Sequence, residues 1–301
     1  MYDIIIIGGG PAGLTAGIYA RRANKSALVI EKASFGGQIT YSPKVENIPG
    51  FAEVTGNEFA EKLVDQALSQ GVDFESCEAT EIIDGKIKKV VTDGDTFEGK
   101  AVIIATGAKH RRLGLENEDK FIGDGISFCA VCDGAFFTGK TVAVIGGGNS
   151  ALQEAIQLSQ LVKKVYVVQN LSYLTGEASL CSQVEEKDNI EVILNHTVNS
   201  ISGGDTFSGI VIKNEGDGSL KELSLDGMFV AIGLIPQNEY FKNVIKLNDW
   251  GYADYGEECS CENAGIFVAG DCRKKDIRQV ATAVSDGAVA SLKACSYIDS
   301  L

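Results

Sequence analysis

Apolar residues fall along this chain in short unbroken runs, each closed by glycines and followed by a stretch with helical spacing. Tyr2 to Ile7 is the first run, Gly8-Gly9-Gly10-Pro11-Ala12-Gly13 closes it, and a helix-like stretch continues to Arg22. Ala27 to Ile30 is the next and ends at Glu31. A short apolar run bounded by glycine reads as a strand buried on both faces. Strand, glycine turn, helix, strand, acid is the opening βαβ unit of a dinucleotide fold.

The pattern recurs. Thr141 to Ile145 is a strand, Gly146-Gly147-Gly148-Asn149-Ser150-Ala151 the turn, Ala151 to Leu161 a helix and Val165 to Val168 a strand. Val102-Ile103-Ile104-Ala105-Thr106-Gly107 closes the first unit and Met228-Phe229-Val230-Ala231-Ile232-Gly233 the second, with short β runs such as Ile82 to Val91 and Ile190 to Phe207 between. Two copies of one nucleotide-binding unit follow from this. Ile266 to Ala269 is a further buried strand ending in Gly270-Asp271, and Ile277 to Tyr297 has the spacing of a long helix. The economical arrangement folds this tail back onto the first unit. Residues 1–112 and 239–301 then form one domain and 113–238 the other, with hinges near Leu113-Gly114 and Gly233 to Gln237.

Composition narrows the function. The 301 residues suit two globular domains, and 27 basic against 41 acidic side chains give a net charge of −14. Such a surface repels phosphate backbones, so nucleic acid is excluded as a partner. No apolar run approaches a membrane span, and Ile4 to Ile7 is too short for a signal-peptide core. Scattered single cysteines without a secretory signal suit a reducing cytoplasm. With two histidines and one Cys-x-x-Cys, no metal site is expected. Cys259-Ser-Cys261 reads as small buried residues beside a strand.

The one Cys-x-x-Cys, Cys129-Ala-Val-Cys132, ends 13 residues before the second fingerprint and is followed by Asp133 and Gly134. Its cysteines can close a disulfide across a helical turn, and Asp133 is placed to give and take protons. A dithiol between two nucleotide units implies electrons passing from a bound cofactor to a disulfide. At the first fingerprint the helix N-terminus faces a pyrophosphate, and Glu31 a ribose diol. The Pro11-Ala12 variant, Thr106-Gly107 and Gly270-Asp271 point to FAD.

With Gly36-Gly37-Gln38, Val45-Glu46-Asn47-Ile48-Pro49-Gly50, Ala105 to Ala108 and Arg278-Gln279-Val280-Ala281, the chain resembles the low-molecular-weight thioredoxin reductase family over nearly its whole length. The resemblance implies an α/β fold of two three-layer nucleotide domains of the glutathione-reductase type, FAD as cofactor, thioredoxin as acceptor and a homodimer. It implies FAD contacts from Gly8, Gly10, Pro11, Ala12, Gly13, Glu31, Lys32, Gly37, Gln38, Asn47, Thr106, Gly107, Asp271, Arg278, Gln279 and Val280. By the same resemblance Cys132 faces the flavin, Cys129 attacks thioredoxin, Asp133 is the acid–base partner, and the middle domain swings between two poses.

One segment departs from that family. Its usual His-Arg-Arg-x-x-x-Arg, which grips the 2′-phosphate of NADPH, is replaced by Gln169-Asn170-Leu171-Ser172-Tyr173-Leu174-Thr175. No lysine or arginine lies between Lys164 and Lys187, and segment 113–238 carries 7 lysines against 16 acids, net −9. Each lost charge-assisted contact removes ~1.5–3 kcal/mol. A subgroup that lacks the arginines takes electrons from reduced ferredoxin, and this chain is similar to it. Ferredoxin is therefore the favoured donor, with NADH or NADPH as the alternative and a non-catalytic redox sensor as a reading of another class. Lys109-His110-Arg111-Arg112 and Arg273-Lys274-Lys275, both expected on the FAD domain, form the candidate basic dock for an acidic carrier.

Overall fold

The structure is a computed structural model that describes residues 1–42 and 44–301. The chain divides into two compact units, Met1–Lys109 with Ile235–Leu301, and His110–Leu234. The first unit opens with β1 (Tyr2–Ile7), α1 (Pro11–Arg22) and β2 (Ala27–Glu31), followed by α2 (Gly56–Ser69) and β3 (Asp73–Ser76). A hairpin of β4 (Ala79–Ile83) and β5 (Lys88–Thr92) leads into the long β6 (Thr96–Ile104) and the short β7 (Ala108–His110).

The second unit holds α3 (Glu118–Phe121), β8 (Ile126–Ser127), α4 (Ala130–Asp133), β9 (Thr141–Ile145), α5 (Asn149–Ser159), β10 (Lys164–Val168), α6 (Ala178–Glu185) and β11 (Ile190–Ile193). The meander β12 (His196–Gly203), β13 (Phe207–Asn214) and β14 (Leu220–Ser224) precedes β15 (Gly227–Val230) and β16 (Leu234–Pro236). The chain returns to the first unit for β17 (Ile266–Val268) and α7 (Val280–Asp299).

The first sheet runs β3-β2-β1-β6-β5-β4, and β17 pairs in parallel with the end of β6. The four isoleucines of β1 alternate across it, as the period of two requires. Ile4 and Ile6 pack with Leu14, Ile18 and Ala290 beneath α1 and α7. Ile5 and Ile7 join Ile82, Val90, Phe241 and Ile245 on the opposite face. The second unit repeats the device on the sheet β11-β10-β9-β15-β8. There Val142 and Val144 pack with Leu152 and Leu158, while Ala143 and Ile145 pack with Phe121, Ile210 and Ile212. Each buried isoleucine or valine is worth roughly 1.5–3 kcal/mol, so four alternating positions fix strand register on both faces.

The unit boundaries fall three and four residues before the expected ones, at Lys109/His110 and Leu234/Ile235. Arg111 N already donates to Gly233 O at 3.0 Å, which ties that stretch into the second unit. The last helix begins at Val280 and not at Ile277. Gln279 is its N-cap, its side chain accepting from the Thr282 amide while Thr282 Oγ1 accepts from Gln279 N at 3.1 Å.

Candidate active site

The expected chemistry lies in two places, one in each unit. The first is the cradle at the start of α1. Gly10 is the N-cap, no side chain caps it, and Pro11 occupies the first helical position. The first intrahelical bond runs from Leu14 N to Gly10 O at 2.9 Å, so the N–H groups of Ala12 and Gly13 lie ahead of it as anion donors. A Cβ on Gly13 would sit 1.8 Å from Gly8 O, which is why the turn closes this tightly. The Glu31 carboxylate stands over the turn, accepting from Gly9 N at 2.7 Å and Ala33 N at 2.9 Å. Lys32 is drawn away from it, to Glu78 at 2.8 Å.

The remaining expected contacts belong to the same unit. Gly37 approaches Gly10 so closely that its Cβ would lie 3.0 Å from Gly10 Cα. The Gln38 side chain donates to Ala108 O, Asn47 donates to Gln279 Oε1 at 3.2 Å, and Thr106 Oγ1 donates to Asn238 Oδ1 at 3.2 Å. Gly107 has a left-handed φ of 68°. The Arg278 guanidinium lies 4.2 Å over the Tyr252 ring while its Nε donates to Asp271 O at 3.4 Å. Val280 opens α7, with Gln279 capping it.

The residues of this unit suit FAD. Asp271 Oδ1 is buried with no hydrogen-bond partner. A buried carboxylate oxygen without a donor is costly, so this one awaits a hydroxyl from a ligand. Burial pushes its carboxyl up, while Lys275 and Arg278 pull it down. FAD bound there would supply reversible two-electron chemistry, and the turn at Gly8 to Gly13, Glu31 and Asp271 are the residues that would hold it.

The second place is the redox pair. Cys129 and Cys132 are joined as a disulfide with Cα atoms 5.3 Å apart, across the single helical turn of α4. Cys129 caps that turn: its Sγ accepts from Cys132 N at 3.2 Å and its carbonyl from Asp133 N at 3.0 Å. Val131, between them, is exposed. Asp133 Oδ2 accepts from Ser127 Oγ at 2.6 Å, and Ser127 Oγ in turn accepts from Cys129 N at 3.1 Å. Burial pushes the Asp133 carboxyl up, and the Ser127 hydrogen bond offsets part of that rise. A carboxyl poised nearer neutrality beside a disulfide suits proton transfer to a thiolate.

Sequence reading missed three groups here. Ser127 orients Asp133; it carries no motif signal beyond being polar in an apolar run. Glu154 on α5 has a buried oxygen, Oε2, without a partner. Asn238, fully buried, holds Thr106 and donates to Gly251 O at 3.0 Å and Cys272 O at 2.8 Å.

The second fingerprint keeps its turn. Gly148 is the N-cap of α5, and Asn149 Nδ2 donates to Glu177 Oε1 at 3.1 Å. Gln169, at the end of β10, is buried and bonded within its own loop: Nε2 donates to Tyr173 O at 3.4 Å and Oε1 accepts from Asn170 N at 3.2 Å. Asn170, Leu171 and Thr175, the residues aligned with the arginines of that motif, are all exposed and uncharged.

The proposed basic dock needs correction. Arg273 is 1% exposed and bound by both Asp286 oxygens, at 3.0 and 3.2 Å, and by Glu257 at 3.1 Å. Lys275 is buried against Asp286 at 2.9 Å. Only Lys274 is exposed, and it pairs with Asp254 at 3.1 Å. Run 273–275 is thus a structural ion cluster; a chain as acidic as this one recruits its cations into internal pairs. His110 to Arg112 fall in the second unit. His110 stacks on Phe128 at 4.8 Å, and burial, then Arg112, push its imidazole down to about 4. It is neutral near pH 7. Arg112 pairs with Asp119.

The family model "Pyridine nucleotide-disulphide oxidoreductase" matches residues 2–287. This chain belongs to that family. A thioredoxin reductase of Listeria monocytogenes is 39% identical over 100% of the chain and 95% of its own length. A "34.2 kDa protein in rubredoxin operon" of Clostridium pasteurianum is 42% identical over 98% of the chain and 97% of its own length. The crystal structure of thioredoxin reductase from Streptococcus pyogenes superposes with a TM-score of 0.95 at 38% identity, covering 100% of this chain and 99% of that one. Within the family the chain falls among the low-molecular-weight thioredoxin reductases, FAD-dependent disulfide oxidoreductases. Among the described residues no helix is long and apolar enough to cross a membrane.

Proposed function

We propose that this enzyme reduces the disulfide of a thioredoxin with electrons that reach FAD one at a time from reduced ferredoxin. FAD sits in the cradle at Gly8 to Gly13, held by Glu31, Asp271 and the start of α7. The pair Cys129–Cys132 takes two electrons from it, Cys132 facing the flavin and Cys129 the acceptor, with Asp133 moving the proton. By the same family resemblance the molecule is a cytoplasmic homodimer, which sedimentation velocity reads directly.

The observation that carries the donor is the loop after β10. It offers a 2′-phosphate no cation between Lys164 and Lys187, and it presents Leu171 and Tyr173 to solvent. The rubredoxin-operon name of the Clostridium pasteurianum relative adds support, since rubredoxin is itself an electron carrier. The alternative, NADH, is supported by the retained turn at Gly146 to Ala151.

Anaerobic titration with the flavin absorbance as readout decides the donor. Reduced ferredoxin is expected to bleach the flavin, and stoichiometric NADH or NADPH to leave it oxidised over the same minutes. Rapid bleaching by either nucleotide overturns the donor. A reduced enzyme that leaves oxidised thioredoxin untouched while changing its own spectrum supports the redox sensor instead.

A further inference from the structure

The redox turn has a second carboxylate behind it. Gly134, directly after α4, lies against α5, where its Cβ would be 3.1 Å from Leu158 Cδ2. Glu154 stands one helical turn before Leu158 and shares its face, so it too is aimed at the end of α4. Asp133 ends that helix. One oxygen of each carboxylate, Asp133 Oδ1 and Glu154 Oε2, is buried with no hydrogen-bond partner. The charge of Asp133 is felt at Glu154, and two buried carboxylates so coupled resist double ionisation where no cation lies near, so a single proton held by the pair relieves both.

Among the described residues, the elements packed on α5 offer no free cation. Of the elements packed on α5, β9 carries no charged residue, and Lys164 on β10 is held by Glu191 at 3.0 Å beside Tyr166. On α6, the Cys181 thiol faces Gly176 O at 3.6 Å and Glu185 adds only further negative charge. From α4 comes Asp133 alone beside the disulfide. Accordingly, burial, reinforced by the charge of Asp133, pushes the Glu154 carboxyl up to about 8.

We propose that Asp133 and Glu154 hold one proton in common, and that Glu154 is the positioning residue that keeps Asp133 loaded for thiol–disulfide exchange. In the reduced enzyme Cys129 is the thiolate and Cys132 the thiol. The Cys129 thiolate attacks a sulfur of the acceptor disulfide; the bond to the acceptor forms, the acceptor S–S bond breaks, and the departing thiolate takes the proton of the carboxyl pair. The Cys132 thiol then returns a proton to the pair and, as thiolate, attacks Cys129 Sγ. The Cys129–Cys132 bond re-forms and the acceptor leaves with its second sulfur as thiolate. Two electrons have moved to the acceptor, and the carboxyl pair has regained its proton. This rests on the disulfide-exchange reading above.

The test uses holoenzyme pre-reduced with dithionite and mixed with one equivalent of acceptor. Oxidised thioredoxin releases a thiolate that needs a proton, whereas 5,5′-dithiobis(2-nitrobenzoate) releases one that is stable without it. At pH 7 Glu154→Gln is expected to slow oxidation by thioredoxin about tenfold or more while leaving the nitrobenzoate reaction within twofold. Glu154→Asp restores part of the rate and shifts the alkaline limb of the pH profile. Equal loss with both acceptors, or none with either, overturns the proposal. Infrared titration reads it without any acceptor: a protonated-carboxyl stretch at pH 7 that disappears in Glu154→Gln supports the shared proton, and its absence from the wild-type enzyme refutes it. If thioredoxin fails to oxidise even the wild-type enzyme, the acceptor is wrong and the infrared result still decides the carboxyl pair.

Discussion

The two fingerprints invite a comparison residue by residue. Gly10 and Gly148 cap their helices with nearly the same backbone, φ −80°, ψ −175° and φ −86°, ψ 178°. Both conformations suit alanine, and the nearest atoms to an added methyl are 3.9 and 3.6 Å away. Neither change should unfold the protein, so each reports on what approaches that backbone. Gly10→Ala is expected to purify largely without flavin, because the methyl fills the space a pyrophosphate needs. Gly148→Ala should leave ferredoxin-driven turnover unchanged. Flavin content by absorbance and steady-state rate read the two outcomes. A Gly148→Ala enzyme that loses turnover would return a nucleotide to the second site. Much of the site was legible at this scale, since Gly13, Glu31, Cys129, Cys132 and Asp133 announce themselves by type and spacing. Glu154 was not, because Gln153-Glu154 inside an amphipathic stretch reads as a solvated helix face. Arg273 and Lys275 misled for the same reason: sequence shows charge without its partner, and Asp286 is far along the chain.

At the scale of elements, the apolar runs marked the strands of both sheets, because strands buried on two faces leave no polar interruption. The start of α7 was not legible, since its capping pair Gln279 and Thr282 inverts the usual residue order. Helix α2 went unread although Thr55-Gly56-Asn57-Glu58 is a capping-box pattern, and Thr55 Oγ1 does accept from Glu58 N at 3.1 Å. How α1 and α7 meet could not be read from either one. Ser291 Oγ donates to Ala16 O at 2.8 Å, and a Cβ on Gly287 would lie 2.1 Å from Ala12 O. Gly287→Ala therefore sets two effects against each other. Alanine improves the helix by about 1 kcal/mol, but the methyl meets backbone that cannot turn aside, and such overpacking costs about 1–3 kcal/mol. Net destabilisation is expected, with a lower urea midpoint and weaker flavin retention, since Ala12 belongs to the cradle. A raised midpoint would mean that α7 slides freely on α1.

For the whole molecule, the flavin cradle belongs to one unit and the cysteine pair to the other, joined by two chain crossings near 109 and 234. In the proposed reaction electrons pass from the cradle of one unit to the cysteines of the other, which makes the two chain crossings the place to look for control of turnover. Two glycines beside them have left-handed backbones, Gly114 at φ 72° and Gly233 at φ 105°. A methyl on Gly114 would meet nothing within 4 Å, and one on Gly233 would lie 3.6 Å from Arg111, so substitution there tests backbone freedom without a clash. Each alanine adds roughly 1–2 kcal/mol of local strain in the present conformation. If catalysis requires these segments to change φ and ψ on every cycle, the strain alters how the two poses are populated and reached. The Gly114→Ala, Gly233→Ala double variant is then expected to keep its flavin and its reaction with ferredoxin, yet to pass electrons from flavin to the disulfide several-fold more slowly in stopped-flow absorbance. Slowing confined to the acceptor step would place the control in thiol–disulfide exchange. An unchanged transfer rate would make both glycines ordinary turn residues and move the hinge elsewhere along the crossings.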